Sequence, residues 1–347
     1  MNSKAKINLI SISISLLLTF VITSLLILVI GKSPVEVFGK LFTESFSSGY
    51  GLGQVLFKAT PLIITACGLA FCFHASIFNI GAEGQINAGS FIMALVAAKL
   101  SFLPVIISLP LCIIAGFITG GLVGYIPAII KIKKGVSEVI TTIMLNFIIL
   151  ALVNYFLLNL VAVKSTMRTE KLPDEMMFFK FSNWFEFFHG SSLNLAFIFS
   201  LIIAVASYFV IYRTKFGYDL RAVGFNQTAS NYIGLKPDSI IIKVFFLGAG
   251  IAALAGMNFI LGYKGFYEYN FTNNLGFTAI AVALLAKNNP LGIILSSILF
   301  GMLDYGGLAI NELIPKEIMF VVQGLVILCI LSVNSIVAKK FEGRFEA

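Results

Sequence analysis

Charge is scarce in this 347-residue sequence: Asp, Glu, Lys and Arg together make up 12% of it. A soluble globular chain carries about 25%, so these residues cannot build an ordinary water-facing surface. Cysteine is also sparse. Cys67, Cys72, Cys112 and Cys329 all fall inside apolar runs, where they read as small apolar packers and not as a disulfide frame. The two histidines, His74 and His189, stand far apart with no cysteine or carboxylate at ligand spacing, and no metal site is visible. A phosphate loop is missing as well. The form Gly-x4-Gly-Lys-Ser/Thr fails at Gly31-Lys32-Ser33, because Leu26 stands where the leading glycine belongs. The chain cannot hydrolyse ATP alone. These absences exclude a soluble enzyme, a disordered chain and a disulfide-stapled secreted module.

What is abundant is apolar sequence, 59% of the chain, in long and nearly charge-free runs. A helix needs roughly 20 apolar residues to cross a hydrocarbon core of about 30 Å. Candidate spans lie at 7–30, 51–73, 77–100, 103–130, 138–160, 193–212, 241–261, 276–287, 290–311 and 317–338. The eighth is too short to cross fully and is expected to be a half-helix or to lean on a neighbour. Small-residue stretches such as Gly248-Ala249-Gly250 and Ala255-Gly256 suit close helix–helix approach. The spans lack dyad alternation, which excludes a β-barrel. The expected fold is all-α: one polytopic transmembrane helix bundle over residues 1–347, with about ten spans.

Basic residues collect on the cytoplasmic side of a membrane. With the N-terminus inside and ten alternating spans, inside segments hold Lys4, Lys6, Lys131, Lys133, Lys134, Arg213, Lys215, Arg221, Lys236, Lys243, Lys287, Lys339, Lys340 and Arg344. Their excess over the acids of those segments accounts for the whole formal charge of +8. Both termini are thus expected inside. The basic balance is a topology signal, and no nucleic-acid partner is implied, because no clustered basic module exists. Lys4 and Lys6 before an apolar run resemble a signal peptide, but the run is too long and lacks a small-residue cleavage site. It reads as a retained first helix.

The longest inside loop, 213–240, contains an N-cap at Asn226, a stop at Gly234 and Pro237 just beyond. That predicts a two-turn helix outside the membrane, too short to be stable alone. Asn226 to Gly234 carries no charge, which argues against a helix lying on lipid headgroups and favours a protein partner. The pattern Arg221-Ala222-Val223-Gly224-x-Asn226-x-x-Ala229-x4-Gly234 resembles the coupling loop of bacterial ABC-importer permeases for simple sugars, nucleosides and branched-chain amino acids. The resemblance implies that Arg221, Gly224, Asn226, Ala229 and Gly234 dock this helix in a groove of a separate ATPase subunit.

A second stretch, Asn79-Ile80-Gly81-Ala82-Glu83-Gly84-Gln85, is similar to the signature of the nucleoside and simple-sugar branch of that family. Its glycines break the helix, and such a break at membrane depth is tolerated only when it lines a cavity or is buried in protein. The alternative is a plain cytoplasmic turn with Glu83 solvated. A third stretch opens the fifth span: Glu138, Thr142 and Asn146 recur every four residues as a polar stripe. It serves either interhelical hydrogen bonding or pathway lining. Its Glu-Val-Ile-x-Thr-x-Met-Leu-Asn run also resembles this branch, as does Asn274-Leu275-Gly276-Phe277-Thr278. Asn274-Leu275-Gly276 echoes Asn79-Ile80-Gly81, a hint of an internal repeat.

Asp304 is the one acid deep inside a span, with no evident basic partner. It reads as a water-accessible carboxylate near the outer mouth, a substrate contact or a coupling-ion site. A lone acid is thin support for a proton- or sodium-coupled secondary transporter, the alternative class. The 161–192 segment, outside by the same topology, is rich in aromatics. It is expected to hold an interfacial helix or to dock a binding protein.

The resemblance covers about residues 55–335. It implies a permease subunit of the bacterial cytoplasmic (inner) membrane, translocating a neutral polar solute. The expected partners are an ABC ATPase that uses the ATP, a second permease subunit (the same or a different chain), an extracytoplasmic substrate-binding protein, and membrane lipid. No cofactor is expected on this chain. The candidate substrate pathway comprises Asn79, Glu83, Gln85, Asn87, Thr142, Asn146, Asn274, Phe277 and Asp304.

Overall fold

A computed structural model describes residues 3–315 and 317–342; Arg344, used above for topology, lies outside them. The chain folds as α1 (Ser3–Val29), α2 (Pro34–Phe46), α3 (Gly49–His74), α4 (Ala82–Lys99), α5 (Val105–Lys134), α6 (Glu138–Phe156), α7 (Ala196–Arg213), α8 (Lys215–Phe225), α9 (Gln227–Tyr232), α10 (Pro237–Ala253), α11 (Gly256–Phe259), α12 (Leu275–Leu285), α13 (Pro290–Ala309) and α14 (Glu317–Glu342). Among the described residues no strand forms, only the isolated bridges Arg168–Glu268 and Lys180–Asn194.

α3 is the hub. Its apolar stretch is 89% buried, and it packs against α7, α10, α12 and α13. Close approach depends on missing side chains. A Cβ on Gly68 would stand 2.3 Å from the Gly248 carbonyl oxygen, and one on Gly120 would stand 2.3 Å from Ala253 Cβ. The small-residue stretch of α10 therefore packs on α3 and α5, as its composition predicts. By contrast only 28% of the α5 stretch, 22% of the α6 stretch and 28% of the α7 stretch are buried. Their outer faces present Ile106, Phe147, Leu152 and Val205, an uncharged belt that suits hydrocarbon and not water.

Length and apolarity single out fewer than ten spans among the described residues. Among these residues six helical stretches are long and apolar enough to cross a membrane, or seven when the α1–α2 pair, bent by 115°, counts as one. All ten expected segments contain a helix, but α4 opens on Glu83, Gln85 and Asn87, which lowers its apolarity, and α12 is short. The bend after α1 falls at Gly31, whose φ of +79° is open to glycine. Ser33 and Pro34 then start α2, a helix that no apolar run marked. It buries Val37 and Leu41 and exposes Val35 and Phe42.

Two expectations for the connecting segments are corrected. Residues 161–192 form no interfacial helix. They run as extended chain with three 3-10 turns, fastened by Thr169 N to Tyr267 O at 2.9 Å, Leu172 N to Gly265 O at 2.7 Å and Phe178 N to Leu261 O at 2.6 Å. Backbone pairing with the chain after α11 satisfies these donors in place of helical bonds. Residues 213–240 are not one loop with one short helix, since α8 precedes α9. Thr214 caps α8 by accepting from Gly217 N at 3.1 Å, and Leu220 and Val223 bury its inner face.

Candidate functional site

The break before α4 is buried in protein. Asn79, Gln85 and Asn87 are fully buried, and Glu83 is 5% exposed, so the reading of a solvated turn does not hold. Asn79 and Gln85 exchange a reciprocal pair of amide hydrogen bonds, each 3.0 Å, and the Asn79 oxygen also accepts from Gly81 N. α4 starts without a capping side chain of its own, so its first N–H groups need partners from elsewhere. Asn146 supplies one: its Oδ1 accepts from Gly84 N at 2.8 Å, while its Nδ2 donates to the Ile80 carbonyl at 2.8 Å. Thr142 accepts from Ile80 N at 3.3 Å. Asn146 lies about 12 Å along α6 from its start, so the break is sunk into the bundle. The polar stripe of α6 thus clamps the turn. Glu138, at the stripe's end, pairs with Lys131 of α5 at 2.6 Å.

Glu83 does for α12 what Asn146 does for α4. Its carboxylate accepts from Gly276 N at 2.7 Å and from the Thr272 hydroxyl. A negative group thus faces the positive end of a half-helix that has no side-chain cap of its own. Asn87 donates to Thr272 Oγ1 at 3.1 Å and accepts from the Tyr267 hydroxyl at 2.9 Å. Burial, and next to it the Glu83 carboxylate, hold the Tyr267 hydroxyl well above its ordinary pKa, so it remains a donor. The two echoing motifs therefore meet in space. Thr272 and Tyr267 gave no signal in the sequence, because they stand between two candidate spans and outside every motif.

Asn274 and Phe277 do not join this network. Both are exposed at the start of α12, and Asn274 has a left-handed φ of 66°. Asp304 is not alone: Lys58 Nζ of α3 lies 2.9 Å from its Oδ2. The signal for Lys58 was a single lysine inside the apolar run of the second span. The pair lines a cavity of about 100 Å³ with Thr272, Asn273, Phe271 and Gln323. Thr272 thus connects the buried network to the cavity wall.

At the far end of α3 the α8–α9 unit is locked to the bundle. The Ser76 hydroxyl donates to the Gly224 carbonyl at 2.7 Å, and a Cβ on Gly224 would stand 2.2 Å from the His74 carbonyl oxygen. His74 in turn contacts Asn288 O at 3.1 Å and the Tyr212 hydroxyl at 3.3 Å. Arg221 lies over the Tyr212 ring at 5.5 Å. Asn226 caps α9 by accepting from Ala229 N at 2.9 Å, and Gly234 ends it at φ +85°. Phe225, Tyr232 and Ile233 are 91%, 88% and 68% exposed. Together they form an uncharged, exposed tip on the α8–α9 unit.

A buried polar lattice inside an apolar helical bundle, with a short exposed helix at one end, defines a multi-pass membrane transport component. Residues 51–331 match the family model described as branched-chain amino acid transport system / permease component, and the chain belongs to that family. The nucleoside ABC transporter permease protein NupB of Lactococcus lactis is 31% identical over 94% of this chain and 91% of its own. The guanosine ABC transporter permease protein NupP of Bacillus subtilis is 34% identical over 92% of both chains. The glucose ABC transporter permease protein TsgB13 of Haloferax volcanii is 31% identical over 86% of this chain and 80% of its own.

Proposed function

We propose that this chain is the membrane permease of an ATP-driven importer in the bacterial cytoplasmic membrane, and that it passes a neutral nucleoside to the cytoplasm. A simple sugar is the next substrate class. The observation that carries the reading is the α8–α9 projection: an uncharged tip with Phe225, Tyr232 and Ile233 exposed, rigidly joined through Gly224 to the end of the central helix. Such a tip suits a groove on a separate ATPase, and the join carries a push from α9 into α3. The names of the relatives support the nucleoside, and the aromatic cavity beside Asp304 suits a flat polar solute. In this reading a second permease subunit, identical or different, completes the pathway at the exposed face of Asn274 and Phe277. A binding protein delivers the solute at the 161–192 end, the ten helical segments all lie within the bilayer region, and both termini face the cytoplasm. The buried amides and Glu83 hold the wall of the pathway.

The test is ATP-driven uptake in liposomes containing the permease, its ATPase and the binding protein, with guanosine, ribose and a branched-chain amino acid in competition. Guanosine uptake that requires ATP supports the reading. Gly234→Pro or Ala229→Glu is expected to abolish uptake while the binding protein still holds its solute; unchanged uptake in both variants removes the docking assignment. The Lys58–Asp304 pair favours the alternative of an ion-coupled carrier more than a lone acid did. Gradient-driven uptake by the purified chain without ATPase would establish that alternative instead.

A further inference from the structure

A groove of about 530 Å³ lies between α5, α8 and α10 and shares no lining residue with the cavity beside Asp304. Phe246 lines it, seated against Gly121: a Cβ on that glycine would stand 2.7 Å from the Phe246 ring. Leu122 and Tyr125 of α5, Phe216 of α8 and Leu247 of α10 line it as well, and of these Leu122 and Tyr125 are exposed. The one charged group among the lining residues is Lys243. It is exposed, and no carboxylate of the described residues lies within ion-pair distance of it. We propose that the groove holds one anionic phospholipid, with its phosphate at Lys243 and an acyl chain along Leu122, Phe246 and Leu247.

Depth along the helices sorts the lining into the order of an amphiphile. Gly124 meets Phe245 and Ala249, and Gly120 meets Ala249 and Ala253, so α5 and α10 run antiparallel and α10 begins where α5 ends. Lys243 stands six residues into α10, about 9 Å along its axis. Leu247 stands ten residues in, and Leu122 twelve residues before the end of α5, about 15 and 18 Å from that same end. The charge therefore lies near the polar margin of a leaflet, and apolar surface continues below it toward the hydrocarbon. The long stem of a lysine reaches the headgroups from that depth. In the topology proposed above this end faces the cytoplasm, where anionic lipids are drawn to basic residues at the membrane surface. Residues 213–243 carry five basic residues against two acids, Asp219 and Asp238, and neither acid joins an ion pair among the described residues. An acyl chain that leaves the bilayer for the groove exchanges one apolar neighbour for another and gains only packing, so the headgroup decides which lipid stays. A zwitterionic headgroup brings its own cation to Lys243, whereas a net anion meets the ammonium without repulsion. The groove volume is that of a small-molecule site, enough for one lipid chain and not for a layer of them.

The experiment is native mass spectrometry of the full-length permease after equilibration in micelles with equimolar phosphatidylglycerol and phosphatidylcholine, both carrying palmitoyl and oleoyl chains. The readout is the ratio of the two lipids retained on the folded protein, which does not depend on how much protein folds. The wild type is expected to retain about fivefold more phosphatidylglycerol, the worth of one lysine facing an anionic lipid. Lys243→Met is expected to bring the ratio close to one, and Lys243→Arg to keep it. Lys133→Met removes the same charge from an exposed position at the end of α5 that does not line the groove, and is expected to leave the ratio unchanged. Leu122→Trp fills the groove from its exposed side and is expected to lower the phosphatidylglycerol retained severalfold. A ratio near one in the wild type overturns the proposal, as does a ratio unchanged by Lys243→Met or lowered equally by Lys133→Met. Undiminished retention in Leu122→Trp places the lipid elsewhere and overturns it too. The same measurement on the transporter assembled with its ATPase and second permease subunit is expected to show the lipid still bound; its loss on assembly would mean that a protein covers the groove instead. No transported solute enters any of these readouts, so their outcome is separate from that of the nucleoside reading.

Discussion

Asn146 makes two hydrogen bonds to backbone groups of the break before α4: the buried Gly84 N at 2.8 Å and the half-buried Ile80 O at 2.8 Å. Leaving a buried donor or acceptor unpaired costs about 1–3 kcal/mol per group. Asn146→Ala is therefore expected to lower the melting temperature of the purified permease clearly. Asn159→Ala, which removes an exposed side chain bonded only to Tyr155 O of its own helix, is expected to leave it nearly unchanged. Thermal melting in detergent compares the two. Glu83→Gln keeps the shape but replaces one of two engaged acceptor oxygens with a donor, so either Gly276 N or the Thr272 hydroxyl loses its partner. The expected loss is again about 1–3 kcal/mol, and Glu83→Ala is expected to cost more. At this scale the residue types in the motifs were legible because amides and carboxylates in apolar runs stand out. Their partners were not, since Thr272 and Tyr267 come from a segment remote in sequence.

At the scale of elements, α8 and α9 act as one bracket on the end of α3. Gly224 permits it: any Cβ there would collide with the His74 carbonyl oxygen at 2.2 Å. Gly224→Val is expected to displace α8, reducing solute uptake about tenfold or more while the ATPase still hydrolyses ATP, because the loss of close packing acts on transmission. Parallel assays of phosphate release and uptake separate the two effects. Asn226→Ala removes only the cap of α9, worth about 1 kcal/mol, and is expected to reduce uptake partially. The helix at Asn226 was legible from its cap, its stop and the proline beyond. α8 was hidden because Gly217 and Gly224, poor helix formers, interrupt its apolar face, and only the neighbouring backbones explain them. The 161–192 segment failed in the opposite sense: its aromatics suggest a helix, but its backbone bonds go to the chain after α11.

At the scale of the molecule, the 161–192 segment and the α8–α9 unit lie at opposite ends of α3. Gly49 and Gly53 contact Phe187 and Ser191, and Gly224 contacts His74. A helix of that length is about 39 Å long, enough to cross a hydrocarbon core with a margin. Cysteines introduced at the exposed positions Asn183 and Lys236 are therefore expected to react from opposite sides of the membrane: Asn183→Cys with an impermeant maleimide added outside, Lys236→Cys only after permeabilisation. The native cysteines are all buried, so they leave the background low. Labelling of both from one side would overturn the topology inferred from the basic residues.

The scarcity of charge settled that this chain lives in a membrane, since no arrangement of so few charged groups could cover an aqueous surface. The same scarcity made the +8 informative, because each basic residue had to lie on a rim or have a reason to be inside. Composition and periodicity could go no further, as they report only what each residue is beside in the chain. Which polar groups meet across the bundle depends on helix crossings set by glycines in close contact. Only the tertiary structure joined Lys58 to Asp304, turning a seemingly solitary acid into half of an ion pair at a cavity.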